Sequence, residues 1–158
     1  MQRVASAPES GLRTLYEQIL RAWNSRDAAA MAALFEDQGH MIGFDGSQVD
    51  GRPAIEAHLG PIFVSHPTAT YVAKIRGVRP LAATVAVLRA MAGMVPPGKD
   101  ALNPALNTVH TLVATRKGSA WLASVFQSTP AAWHGRPQDT AALVEELSDV
   151  LRRGLTAR

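Results

Sequence analysis

The sequence predicts an α+β domain in which N-terminal helices precede a curved antiparallel sheet wrapped around an apolar pocket, and three observations carry that prediction. An amphipathic stripe runs from Leu12 to Trp23. Apolar and alternating segments fill the span from Thr68 to Thr129. Between them the segment WNSRDAAAMAALFEDQGHMIGFDGSQVDGRPAI, Trp23 to Ile55, strings together helix, break, strand, tight turn, strand and helix start.

Leu12, Leu15, Tyr16, Ile19, Leu20 and Trp23 recur at the spacing of one helical face. Ser6 with Glu9 three residues later reads as a capping box, and Pro8 suits a first turn, so this helix starts near Ser6. Asp27 caps a second helix that carries Met31, Leu34 and Phe35 on one face. Asp45-Gly46 makes a hairpin turn, and Gly51-Arg52-Pro53 opens a third helix bearing Ile55, Leu59, Ile62 and Phe63, which Gly60-Pro61 should kink or break.

From Tyr71 the period becomes two, with Tyr71, Ala73 and Ile75 alternating with Lys74 and Arg76. Thr84 to Met94 reads as a strand buried on both faces, and Met94 to Pro104 as a long proline-bearing loop. Leu106 to Arg116 and Ala120 to Thr129 form a hairpin about Lys117-Gly118-Ser119, which would set His110 opposite Gln127. Thr140 to Leu151 returns to helical spacing through Leu143, Val144, Leu147 and Val150. Pro130 and Pro137 set it apart, so the expected organisation is one domain over residues 6–130 and a C-terminal helical extension over 131–158.

A chain of 158 residues is long enough for one core burying roughly 70% of its unfolded surface. With 47% hydrophobic and 18% charged residues, its composition leaves room for an apolar cavity or an oligomer interface. The absence of cysteine excludes disulfides, thiolate metal sites and a cysteine nucleophile. The five histidines, His40, His58, His66, His110 and His134, show neither an i, i+4 pair nor an HxH spacing, so no metal site is expected. The net charge is +3, but the basic residues are scattered and only Arg152, Arg153 and Arg158 cluster, which argues against nucleic acid. The start MQRVASAPES lacks a secretory apolar core, and the apolar run from Leu81 to Pro97 is too broken to span a bilayer. A cytoplasmic protein without a membrane partner is the expectation.

WNSRDAAAMAALF, the FDG turn, GRPAI at a helix start and the late NTVHTLVATRKGSAWLASVFQST together resemble the nuclear transport factor 2-like superfamily in its SnoaL-like form. Within it the chain is similar to small actinobacterial proteins associated with polyketide and enediyne biosynthesis. The resemblance implies a helix-lined cone whose sheet wraps an apolar pocket, paired into a homodimer through that sheet. It implies no single activity, because the fold hosts isomerases, dehydratases, cyclases and binders. Against the superfamily's ketosteroid isomerases, the phenol position falls at Ile19 and the base at Gly43, while the oxyanion acid falls at His110 and an aromatic pocket residue at Gln127. Neither Ile19 nor Gly43 can do acid–base chemistry, so that activity is not expected.

The pocket residues expected on this basis are Tyr16, Ile19, Trp23, Met41, Leu59, Arg89, His110, Leu112 and Gln127. Tyr16 and Trp23 read first as core aromatics of the helical stripe and second as lining. His110 reads first as a hydrogen-bonded core histidine and second as an acid or base. Arg89, in an apolar strand, must reach the rim or pair with a carboxylate or a ligand anion. Asp45 reads mainly as a turn former and His58 as solvated or capping. The function expected is binding of a small apolar, polyketide- or polyene-like molecule without a cofactor. The alternative is an isomerase, cyclase or dehydratase with His110 as acid or base.

Overall fold

A computed structural model describes residues 6–154; Arg158 lies outside the described residues. The first helix, α1 (Ala7–Asn24), begins where Ser6 accepts a hydrogen bond from the Glu9 amide at 3.2 Å. Its stripe is the centre of the core: Leu12, Leu15, Tyr16, Ile19 and Leu20 are almost wholly buried. Each such apolar side chain contributes roughly 1.5–3 kcal/mol relative to leaving it in water. At Gly11 the helix lies directly on the sheet, where an added Cβ would stand 2.3 Å from the Trp121 ring.

Asp27 caps α2 (Ala28–Ala32), its Oδ1 accepting from the Ala30 amide at 2.9 Å. That helix ends before Phe35, which is instead the first residue of β1 (Phe35–Ile42). The tight turn at Asp45-Gly46 joins β1 to β2 (Gln48–Asp50), with Asp45 Oδ1 accepting from the Ser47 amide at 2.9 Å. The third helix, α3 (Arg52–Ser65), passes through Pro61 without a break. Gly60 eases this, because part of the clash that drives a pre-proline residue out of the helical region involves a Cβ that glycine lacks.

The long strands β3 (Thr70–Ala82), β4 (Val85–Val95), β5 (Thr108–Lys117) and β6 (Ala120–Pro130) follow, with a 3₁₀ turn at Pro104–Leu106. The curved six-stranded sheet has the order β2-β1-β6-β5-β4-β3. It is the curved antiparallel sheet expected from the sequence, with one parallel pairing, of β1 with β6, that the sequence did not indicate. The one helix between β1 and β3, α3, makes this possible by carrying the chain from β2 at one edge across to β3 at the other.

One face of β4 packs into the core through Ala86, Leu88, Ala90 and Ala92. The other is only partly covered, so β4 is not buried on both faces. The last helix, α4 (Pro137–Arg152), lies on that outer face, where Leu143, Leu147 and Val150 pack with Val72 and Leu102. Arg76 fastens it with a two-pronged ion pair to Glu146, at 2.8 and 2.6 Å. Among the described residues no helix is long and apolar enough to cross a membrane.

Candidate functional site

Between the helices and the concave face of the sheet lies a cavity of about 260 Å³. Its apolar lining comes from Trp23 on α1, Met31 on α2, Met41 on β1, Leu59 and Ile62 on α3, Tyr71 on β3, Met94 on β4 and Phe126 on β6. Its polar lining is Asp45 and Ser47 of the hairpin, His58 of α3 and Ser128 of β6. Period-two geometry explains why these residues meet: Phe126 and Ser128 share a face, and the parallel register sets Met41 beside Phe126. Tyr71 and Met94 are likewise direct partners across β3 and β4. Trp23 is held at the wall by donating from Nε1 to the Ala69 carbonyl at 2.9 Å, with Phe63 and Tyr71 rings packed against it.

Behind this lining sits a second polar group. His110 is fully buried on β5, and its Nδ1 is 2.7 Å from the Tyr16 hydroxyl. Its Nε2 has no hydrogen-bond partner among the described residues. We assign the Tyr16 hydroxyl as donor to Nδ1, which leaves one unpaired group, Nε2–H; the reverse arrangement would orphan both the phenol proton and the Nε2 lone pair. The rings of Tyr71 and Phe126, each with its centroid 4.9 Å from that of His110, pack against it. Burial drives the His110 pKa down to about 3, so the ring is neutral at physiological pH. Burial also raises the Tyr16 phenol well above its ordinary value, with Tyr71 adding to the effect.

Of the residues expected at the pocket, Trp23, Met41 and Leu59 line the cavity. Tyr16, Ile19, His110 and Leu112 are buried in the core and are not among its lining residues. Arg89 is exposed on the outer face, paired across the strand with Thr111, because odd-numbered positions of β4 point away from the core and α4 stops short of it. Gln127 also belongs to the outer face. The pairing of His110 with Gln127 is corrected to His110 with Ser128. The reason is a bulge: the register set at the Gly118-Ser119 turn holds as far as Ala114 opposite Ala123, then shifts so that Val113 faces Val125. Ser124 is the extra residue. Its hydroxyl donates to Glu36 of β1 and lies 3.1 Å from Thr115 Oγ1, and Lys117 Nζ approaches the same Glu36 carboxylate at 3.3 Å.

His58, Tyr71, Met94 and Ser128 were not singled out as pocket residues by the sequence. The helical spacing of His58, Leu59 and Ile62 and the alternation of Phe126 with Ser128 hold the signal for two of them, His58 and Ser128. Among the described residues no group of three or more His, Asp or Glu could hold a metal ion.

No curated protein matches the sequence. Solved structures do match the fold. A cystatin-like-fold domain of unknown function from Nostoc punctiforme superposes with a TM-score of 0.76 at 20% identity, covering 95% of this chain and 99% of that one. An NTF2-like protein of unknown function from Pseudomonas putida gives 0.64 at 19% identity over 80% of this chain and 89% of that one. A ketosteroid isomerase-like protein from Erwinia carotovora atroseptica gives 0.59 at 14% identity over 78% and 95%. The family model for the SnoaL-like domain matches residues 12–134. From the middle of α1 to just short of α4, then, the sequence follows one family pattern on an NTF2-like frame, and the chain belongs to the SnoaL-like domain family.

Proposed function

We propose that the protein binds a small, largely apolar molecule in the cone, as a carrier or accessory factor of secondary metabolism acting on polyketide-like compounds. The observation that carries the reading is the cavity itself: about 260 Å³, walled mainly by aromatic rings and methionines, with few polar groups at one side. The polyketide class rests on family resemblance alone. Catalysis through His110 has less support, since the ring is sealed behind Tyr71 and Phe126 and is held neutral by a low pKa.

Titration calorimetry with a panel of planar apolar compounds tests the reading. Saturable one-to-one binding, abolished by the cavity-filling Met41→Trp and untouched by Arg89→Ala, is the expected result. Absence of binding across the panel overturns it.

A homodimer through the outer sheet face belongs to the same reading. Val87, Val113 and Val125 stand in register across β4, β5 and β6, each half-buried on the face that α4 leaves open. Sedimentation analysis should give a dimer that Val113→Glu converts to a monomer; a monomeric wild-type protein contradicts it.

A further inference from the structure

The cavity has a direction. Phe126 and Met41 are paired at one level, with Met31 and Leu59 also in the wall. The next inward-facing step along β6 is Ser128, and just past the end of the parallel β1 stands Gly43, from which the hairpin carries Asp45 and Ser47 to the rim. Exposure follows the same order: Phe126 and Met41 are buried, Ser47 and His58 are half-buried, and Asp45 is exposed. Polarity therefore rises from floor to mouth.

Size and lining narrow the occupant. An engineered apolar cavity of about 150 Å³ holds benzene, and ordinary ligand pockets begin near 300 Å³. At about 260 Å³ this one suits a ring system larger than benzene and smaller than an extended polyene. Trp23, Phe44, Tyr71 and Phe126 offer ring faces and edges, and Met31, Met41 and Met94 add polarisable, adaptable sulfur contacts.

Charge narrows it again. Asp45 is the only carboxylate in the lining, and no lysine or arginine of the described residues lines the cavity. Hydrogen bonds from Ser47 hold its pKa below the usual carboxylate range, so it is ionised at neutral pH. His58 is the one basic side chain at the rim, and it already faces that carboxylate. An anionic head entering here would lose water and meet like charge, whereas a hydroxyl or amine would find acceptors.

We propose that the cone takes a compact one- or two-ring aromatic molecule, body inward, with a hydrogen-bond-donating hydroxyl or amine at the Asp45 and His58 rim, and that it rejects carboxylates. This rests on the binding reading above and specifies the ligand class. The test is calorimetry at neutral pH with 2-naphthol, 1-naphthylmethylamine, 2-naphthoate and retinol, on the wild-type protein and Asp45→Asn. The variant keeps the oxygen that accepts from the Ser47 amide, so the turn is retained.

Naphthol and the amine should bind at least about tenfold more tightly than naphthoate, and Asp45→Asn should remove most of that gap. Retinol should not bind. Equal binding of naphthoate, discrimination unchanged in Asp45→Asn, or preference for retinol overturns the inference while leaving the binding reading in place. Failure of all four compounds to bind overturns both.

Discussion

The Tyr16 hydroxyl lies 2.7 Å from His110 Nδ1, tying the middle of α1 to the centre of the sheet at a point where both residues are shut away from solvent. The bond replaces water for two polar groups that the fold has buried. Removing one partner leaves the other with a full desolvation penalty. Tyr16→Phe should therefore destabilise the protein by about 1–3 kcal/mol in denaturant unfolding. Affinity for a cavity ligand should stay within error, because Tyr16 is not among the lining residues.

A buried neutral histidine also makes stability depend on pH in a defined direction. The folded pKa of about 3 lies below the ordinary 6.5, so between those values the unfolded chain binds a proton that the folded one refuses. The contribution is complete above about pH 6.5 and is lost as pH falls toward 3, at about 1.4 kcal/mol per unit for this one group. Unfolding free energies measured from pH 7 to 4.5 should fall with pH in the wild-type protein. His110→Gln should flatten that slope, and an equal slope in both proteins contradicts the assignment.

The bulge at Ser124 decides which polar side chain of β6 enters the cavity. Burial raises the Glu36 pKa, but hydrogen bonds from Ser124, Thr115 and Lys117 outweigh it and the net shift is downward. Ser124→Ala removes the hydroxyl that Glu36 and Thr115 share. A loss of about 1–2 kcal/mol in stability is expected in denaturant unfolding.

The last helix is part of the folded unit's packing. A Cβ at Gly93 would stand 3.0 Å from Leu147 Cδ1 and 3.1 Å from Leu102 Cδ2, so α4 and the loop before β5 close directly over the strand. Gly93→Val should cost about 1–3 kcal/mol by overpacking, and Leu147→Ala about 2–5 kcal/mol by leaving a cavity. Thermal unfolding of the two variants checks both values. Unchanged stability in Leu147→Ala would mean that α4 is dispensable.

Local rules made most of the elements legible in the sequence. The stripe from Leu12 to Trp23, the Asp27 cap, the Asp45-Gly46 turn and the Gly118-Ser119 hairpin each depend on neighbours within a few residues, and each stands where the sequence puts it. The site was less legible because it depends on register between distant strands. One extra residue, Ser124, exchanges Gln127 for Ser128 at the cavity, and its pinning partner Glu36 is 88 positions away. Arg89 shows the same limit: alternation along β4 is visible in sequence, but which face α4 covers and which stays wet is a tertiary fact. The parallel pairing of β1 with β6 had no local signal at all.

The central claim is that the concave cavity, and not the outer sheet face, receives the ligand. Amide chemical-shift mapping during titration with 2-naphthol tests it most directly. The account predicts saturable shifts at Met41, Asp45, Tyr71 and Ser128, with Arg89, Thr111 and Gln127 unmoved. Shifts centred on Arg89 and Gln127, or none at any of these residues, would contradict it.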